Sequence, residues 1–191
     1  TWILSYGGLA LFEKPLEIFD APIFYPYSTT FAYSENLLGM QPFFLPAQLL
    51  TGNPVAAYNI VMLLAYILAG FCMYLFCRFG IGWRMLPSVL AGIIYSYTPY
   101  RFDHIFHLHI LWIFWLPIAA WLLILTLREN KWRYAIGLSF VFFLQAAASL
   151  YVMTYMAALL LIVLLFLLPH VQRHMASIFR LVVTGVVCIV L

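Results

Sequence analysis

Charged side chains are scarce in this chain of 191 residues. Nine lysines and arginines and six aspartates and glutamates amount to 8% of it, whereas 66% of its residues are hydrophobic. Soluble globular domains carry about 25% charged residues, so this composition argues strongly against a soluble globular fold. It predicts an all-α fold, that of a polytopic helical membrane protein whose partners include membrane lipids.

The sequence signals of several other protein classes are also missing. Only three cysteines are present, Cys72, Cys77 and Cys188, and their spacing fits neither a metal site nor a disulfide framework. The sequence has no His-Glu-x-x-His motif of zinc hydrolases and no internal repeat. The net charge of +3 reflects basic loops between apolar segments, so we expect no nucleic-acid partner.

Long apolar runs dominate the chain, at residues 54–77, 85–100, 110–127, 134–168 and 176–191. A helix needs about 20 residues to cross a hydrocarbon core, so the first and third runs predict single spans and the second is marginal. One helix over the fourth run would be roughly 52 Å long, too long for one crossing. We therefore predict two short helices there, with a turn within 145–151, where Gln145 and Ser149 interrupt the apolar pattern.

The charged residues divide between the two ends of these spans. Basic loops prefer the cytoplasm, so the loops at 78–84, 128–133 and 169–180 are predicted to lie inside. The outer side then holds five of the six acidic residues, which are Glu13, Glu17, Asp20, Glu35 and Asp103. The predicted localisation is the cell inner (plasma) membrane, crossed several times, with residues 1–53 on the outer side.

This topology divides the chain into two parts. Residues 1–53 are predicted to form an external loop with an interfacial helix, because the apolar stretch at 2–12 is too short to span. Residues 54–191 are predicted to form a transmembrane bundle of about five spans. The start at Thr1 without methionine and the end at Leu191 inside an apolar run indicate a fragment with a truncated last span.

The first external loop is rich in proline and aromatic residues. Six of the ten prolines lie in it or at its edge, and Tyr25 and Tyr27 closely follow Asp20. Prolines restrict the backbone and aromatic rings settle at the membrane interface, so we expect an ordered loop on the membrane surface. The tyrosines allow two interpretations: an aromatic belt without a ligand, or a platform for a sugar or a polyprenyl chain.

The second external loop concentrates ionisable side chains, because Arg101, Asp103, His104, His107 and His109 lie within nine residues. Such groups at membrane depth are costly and usually functional. On a helix, Asp103 and His107 would share a face with His104 beside them, which predicts a site for a divalent metal or a phosphate. Arg101 is a predicted phosphate ligand. The alternative interpretation is a polar collar that meets lipid headgroups.

Several segments form a distinctive set. They are Phe24-Tyr-Pro-Tyr, Ala32-Tyr-Ser-Glu-Asn-Leu-Leu-Gly39, Leu49-Leu-Thr-Gly-Asn-Pro-Val-Ala-Ala-Tyr-Asn59, Tyr97-Thr-Pro-Tyr-Arg-Phe-Asp-His-Ile-Phe-His107 and residues 145–155. As a set they resemble bacterial membrane glycosyltransferases of the C-type superfamily (GT-C). The resemblance covers roughly residues 1–168 and implies a GT-C-like fold with a long external first loop.

The resemblance also implies an activity, the transfer of a sugar from a polyprenyl-phosphate donor to an acceptor at the outer face of the membrane. In such enzymes an acidic residue of the first external loop acts as base on the acceptor, and a second-loop carboxylate lies near the donor phosphate or a metal. The predicted catalytic residues are therefore Asp103, Glu35 and Asp20. Asp103, His104 and His107 are the predicted ligands for a divalent metal, Mg²⁺ or Mn²⁺. The predicted substrate-binding residues are Arg101, His104, His107, Tyr25, Tyr27, Gln145 and Tyr151.

Two other functions fit a protein of this composition. A transporter or flippase of a lipid-linked or amphipathic substrate is the first alternative, although transporters often place polar groups near the midplane of the membrane. A non-catalytic scaffold is the second. The ionisable groups of this chain gather at one predicted outer surface, which favours the enzyme.

Overall fold

The computed structural model describes residues 1–167 and 175–190, and it contains only helices and loops in these ranges. Ten α-helices follow one another: α1 Trp2–Glu13, α2 Gln41–Thr51, α3 Pro54–Leu75, α4 Met85–Ser96, α5 Pro99–Asp103, α6 Leu108–Leu111, α7 Trp115–Glu129, α8 Trp132–Ala148, α9 Leu150–Leu167 and α10 Met175–Val190. Short 3-10 turns lie at Pro15–Glu17, Thr30–Tyr33 and Leu38–Met40, and a π-helical turn at Phe76–Ile81 extends α3. The predicted all-α fold is confirmed.

Among the described residues, three helical segments are long and apolar enough to cross a membrane, Pro54–Ile81, Leu108–Glu129 and Leu150–Leu167. A shorter apolar helix, Trp132–Ala148, lies between the last two. Large apolar side chains remain exposed along three of them, Pro54–Ile81, Trp132–Ala148 and Leu150–Leu167, including Phe71, Phe140 and Phe166. Exposed apolar surface on this scale is unfavourable in water and favourable in hydrocarbon. These segments are those of a helical membrane protein.

The predicted break in the long apolar run 134–168 is confirmed at Ser149. Helix α8 ends at Ala148, Ser149 adopts an extended backbone, and α9 begins at Leu150. Val141 on α8 and Met156 on α9 belong to the same buried cluster, so the two helices fold back on each other. A single 52 Å helix is therefore avoided by a tight hairpin without glycine or proline.

Two of the predicted spans differ from the helices in the structure. The run 85–100 is not one helix, because α4 ends at Ser96 and α5 starts at Pro99. The residue before a proline avoids the helical conformation, and Thr98 is extended. The run 110–127 bends between Leu111 and Trp115, where α6 gives way to α7.

The segment 1–53 contains a helix that the sequence analysis did not predict. Helix α2 begins at Gln41 with Pro42 in its first turn, where a proline costs no hydrogen bond, and it ends at Thr51 with Gly52 as its C-cap at φ 63°. The Gln41 side chain donates a hydrogen bond of 2.8 Å to the carbonyl oxygen of Leu4 on α1. The loop of residues 1–53 is thus packed on itself.

Helices α3 and α4 approach each other closely at two glycines. A Cβ atom on Gly92 would lie 2.6 Å from the carbonyl oxygen of Gly70, a distance that no side chain tolerates. The Ser96 hydroxyl donates a hydrogen bond to the carbonyl oxygen of Tyr66. Small residues that let backbones meet are typical of helix pairs within membranes. The close contact between α3 and α4 fixes the position of the segment that follows α4, residues 97–109.

The predicted sidedness can be tested by thiol labelling of intact cells. In a background with Cys72, Cys77 and Cys188 replaced by alanine, we expect Phe106→Cys to react with a membrane-impermeant maleimide. We expect Lys131→Cys to react only after the membrane is permeabilised. Phe106 is 88% exposed and Lys131 is also exposed, so accessibility does not limit either reaction. Labelling of Lys131→Cys in intact cells would refute the topology.

Candidate functional site

Glu35 joins the segment 14–40 to the break between α8 and α9. Its two carboxylate oxygens accept hydrogen bonds of 3.0 Å each, from the backbone N–H groups of Leu150 and Tyr151. The Ser149 hydroxyl accepts a further bond of 3.2 Å from the N–H of Val152. The first N–H groups of a helix have no partners within the helix, and its positive dipole end attracts anions. Ser149 is therefore the N-cap residue of α9, and Glu35 adds a second capping group from a distant part of the chain.

A glycine allows this contact to form. A Cβ atom on Gly39 would lie 2.5 Å from the carbonyl oxygen of Leu144 and 2.7 Å from the backbone nitrogen of Ala148. Only a residue without a side chain lets the backbone after Glu35 rest directly on the end of α8. The close approach places the Glu35 carboxylate within reach of the α9 N-terminus.

Three histidine rings form a row in the segment 104–109. The rings of His104 and His107 have their centroids 5.7 Å apart, and those of His107 and His109 are also 5.7 Å apart. The Tyr100 ring packs against His104 at 4.2 Å. Leu37, Leu108 and Ala148 belong to one buried cluster, so the segment that follows Glu35, the histidine row and the end of α8 pack into the same core. One carboxylate and three imidazoles thus lie on segments that share this core.

Asp103 lies at the end of α5 and is exposed. Within residues 1–167 and 175–190 its carboxylate has no hydrogen bond and no ion pair. Both oxygens are therefore open to a ligand from solvent. By contrast, Glu35 and Asp20 already accept hydrogen bonds from the backbone, Asp20 from the N–H of Thr29 at 2.7 Å.

The predicted metal ligands do not converge. In the described parts of the chain, no group of three or more histidine, cysteine, aspartate or glutamate residues is arranged to hold a metal ion. The Nδ1 atom of His104 lies 2.9 Å from the carbonyl oxygen of Tyr100, which occupies one of its two ring nitrogens. The residues present do not supply a preformed Mg²⁺ or Mn²⁺ site, and metal dependence stays a prediction.

Arg101, a predicted phosphate ligand, is 1% exposed. Its guanidinium donates hydrogen bonds to three carbonyl oxygens, those of Ser96 at 2.8 Å, Ala65 at 3.2 Å and Leu111 at 2.8 Å. It also stacks over the Tyr66 ring at 4.4 Å. Burial lowers the pKa of Arg101, but the starting value is so high that the group keeps its charge at neutral pH. In this arrangement Arg101 binds the protein itself.

The aromatic loop around Tyr25 and Tyr27 is closed and projects outward. The N–H of Phe31 donates to the carbonyl oxygen of Phe19 at 3.0 Å, and the Thr30 hydroxyl donates to that of Ala21 at 2.9 Å. Tyr25 and Tyr27 are 95% and 68% exposed at its tip. The loop therefore offers two phenol rings that the described protein leaves uncovered.

Gln145 and Tyr151 lie on either side of the helix break. Gln145 is completely buried, and neither end of its amide has a partner in the described residues. Tyr151 is exposed, and its hydroxyl accepts a hydrogen bond of 3.1 Å from that of Tyr155. The backbone N–H of Tyr151 is also bound by Glu35. Of the predicted substrate-binding residues, Tyr151 is thus the one in direct contact with a predicted catalytic residue.

His109 and Ser149 are site residues that the sequence analysis left outside its predicted site. His109 received no role, although it lies in the same dense run of ionisable residues. Ser149 was used only to locate the turn. Its signal was visible, because a serine before a helix is a common N-cap. The role of Glu35 had no local signal, because its partners lie 115 and 116 residues further along the chain.

The fold and this site define a helical membrane protein with a polar cluster at one end of its bundle. No protein-family model matches the chain, and no significant match exists among curated proteins or solved structures.

Proposed function

We propose that this chain belongs to a membrane glycosyltransferase, which moves a sugar from a polyprenyl-phosphate donor to an acceptor at the outer face of the membrane. One observation carries the proposal. Glu35 binds the backbone at the α8–α9 break, and Leu37, which closely follows it, shares a buried cluster with Leu108 of the histidine row, although these residues are far apart in the sequence. Such a site suits a donor whose tail is soluble in the membrane and whose phosphate and sugar are polar.

The free carboxylate of Asp103 is the base in this proposal. It takes the proton from an acceptor hydroxyl, whose oxygen then attacks the anomeric carbon of the donor sugar. The bond from that carbon to the donor phosphate oxygen breaks, and its electron pair leaves with the polyprenyl phosphate. The imidazole of His107 stabilises the departing phosphate as a hydrogen-bond donor, and His104 packs beside it with its Nδ1 on the carbonyl oxygen of Tyr100. No step passes through a metal ion.

The other predicted residues lie outside the chemical step in this proposal. Glu35 holds the α8–α9 break in position through the α9 N-terminus. Tyr25 and Tyr27 offer exposed rings on which an acceptor sugar can pack, as aromatic side chains commonly do with apolar sugar faces. Arg101 is outside the proposed binding set, because its guanidinium already has three carbonyl acceptors.

A direct assay tests the function. The full-length protein in proteoliposomes is supplied with undecaprenyl phosphate that carries a radiolabelled hexose and with a cell-envelope extract as the source of acceptor hydroxyls. The transfer of label to the acceptor and the release of free undecaprenyl phosphate are measured. We expect release above that of empty liposomes. If the protein neither binds the donor nor releases undecaprenyl phosphate, the proposal is contradicted. Movement of intact donor between leaflets would instead favour the transporter or flippase.

The cap formed by Glu35 makes a separate prediction. Glu35→Gln should lower stability by about 1–2 kcal/mol, because an amide offers one acceptor where the carboxylate offers two and loses the charge that the helix dipole favours. For a chain of this length that corresponds to a Tm lower by roughly 2–8 °C, measured by thermal unfolding in detergent.

Glu13→Gln is the matched control for this change. Glu13 is exposed and has no hydrogen bond in the described residues, so the same substitution should leave the Tm within about 1 °C. A Glu35→Gln protein with unchanged Tm and lost transfer would make Glu35 a base instead of a cap.

A further inference from the structure

An apolar crevice lies among α7, α8, α9 and α10. Its volume is about 340 Å³, and its walls include Leu123, Phe142, Leu160, Leu164, Leu181 and Gly185. A Cβ atom on Gly185 would meet nothing within 4 Å, so this glycine borders open space. The crevice opens sideways, because Leu161 in its wall is 55% exposed.

The depth of this crevice places it within the hydrocarbon. Its wall on α9 runs from Ala157 to Leu164, whereas α9 begins at Leu150. At 1.5 Å per residue, the wall lies roughly 10–20 Å from the end of α9 that Glu35 caps. At that depth of a bilayer about 30 Å thick there is no bulk water, so a hydrocarbon chain is what fills the space.

A basic rim lies at the opposite end of the bundle from Glu35. Arg128, Lys131 and Arg133 surround the turn between α7 and α8 and are exposed. The one carboxylate among them, Glu129, lies 2.7 Å from Lys131 and 3.7 Å from Arg133. The rim therefore keeps an excess of positive charge.

Arg180 on α10 connects this rim to the crevice. Its guanidinium donates a hydrogen bond of 2.7 Å to the Asn130 side chain in the α7–α8 turn and packs over the Trp132 ring at 5.2 Å. The next residue, Leu181, already lines the crevice. Positive charge and apolar space are thus continuous along α10. That is the pattern of charge and shape that a lipid with an anionic headgroup would complement.

We infer that the crevice between α7 and α10 is a binding site for an anionic phospholipid. One acyl chain fills the apolar crevice and the headgroup phosphate meets the basic rim, which the charge distribution predicts to be cytoplasmic. This site is separate from the proposed glycosyl-transfer site and does not depend on it, because the two lie at opposite ends of the bundle.

Photo-crosslinking tests this inference on the full chain in nanodiscs. The probes are phosphatidylglycerol and phosphatidylcholine that carry the same diazirine on one acyl chain. We expect phosphatidylglycerol to label peptides of α9 and α10 that line the crevice, at least fivefold more than phosphatidylcholine does. Gly185→Phe should abolish this labelling, because its ring occupies the crevice.

Two control variants distinguish the binding of the acyl chain from the binding of the headgroup. Val182→Phe adds the same ring at a position that is 57% exposed and outside the crevice, and it should keep the labelling. Arg128→Gln should lower the preference for phosphatidylglycerol about fivefold, whereas Arg84→Gln, in a different basic loop, should not.

Three results would overturn the inference. The first is equal labelling by the two probes in the unchanged protein, and the second is labelling that survives Gly185→Phe. The third is displacement of the phosphatidylglycerol probe by undecaprenyl phosphate but not by unlabelled phosphatidylglycerol, which would assign the crevice to an isoprenoid chain. None of these results depends on transferase activity.

Discussion

Asp103→Asn is expected to lower glycosyl transfer by about 100-fold to 10,000-fold, the range that general base catalysis supplies. The amide keeps the size of the side chain but cannot accept the acceptor's proton. Because the Asp103 carboxylate is exposed and makes no bond within the described residues, stability should stay unchanged. The measurement is release of undecaprenyl phosphate in proteoliposomes, together with a thermal unfolding curve.

Asp20→Asn is the control for this result. Asp20 was also a predicted catalytic residue, but its Oδ1 accepts the Thr29 N–H, a bond that an asparagine retains. We expect near-normal transfer from this variant. A titration with Mg²⁺ and Mn²⁺ belongs to the same experiment, because an amide is a weaker metal ligand than a carboxylate. Full activity of Asp103→Asn with an unchanged metal response would reduce the second loop to a polar collar.

The sequence was sufficient for the parts of the fold that depend on hydrophobicity and length. The span that starts at Pro54 and the break at Ser149 both follow from the length of a helix that crosses a bilayer. The end of α4 at Ser96 was not predicted, although it had a signal in the sequence, because Pro99 disfavours a helical Thr98. Such features depend on neighbours in the chain, which a sequence displays directly.

The site was predictable only as a set of residue types. The sequence placed Glu35, Tyr151 and the histidines on one side, but it could not show that Glu35 binds the backbone of Tyr151. That contact depends on how α8 packs against Gly39, over more than 100 residues of sequence. Composition likewise cannot tell an exposed arginine from a buried one. The guanidinium of Arg101 has the chemistry of a phosphate ligand, but this side chain is buried.

Because Arg101 is buried, its substitution has the largest expected effect on stability. Arg101→Ala should cost about 3–5 kcal/mol, because it leaves the carbonyl oxygens of Ser96 and Leu111 without their charged donor and opens a cavity beside Tyr66. That corresponds to a Tm lower by roughly 6–20 °C. Arg101→Lys should recover only part of the loss, since an ammonium cannot reproduce the planar fork.

Arg84→Ala provides the comparison, because Arg84 is exposed and its side chain has no hydrogen bond in the described residues. Its Tm should change by less than about 2 °C. Donor binding distinguishes the two roles of Arg101. If Arg101 were a phosphate ligand, Arg101→Ala would keep the Tm and weaken binding of undecaprenyl-phosphate hexose. If it ties α3, α4 and α6 together through their carbonyls, stability falls first, and Arg101→Lys protein that remains folded binds the donor normally.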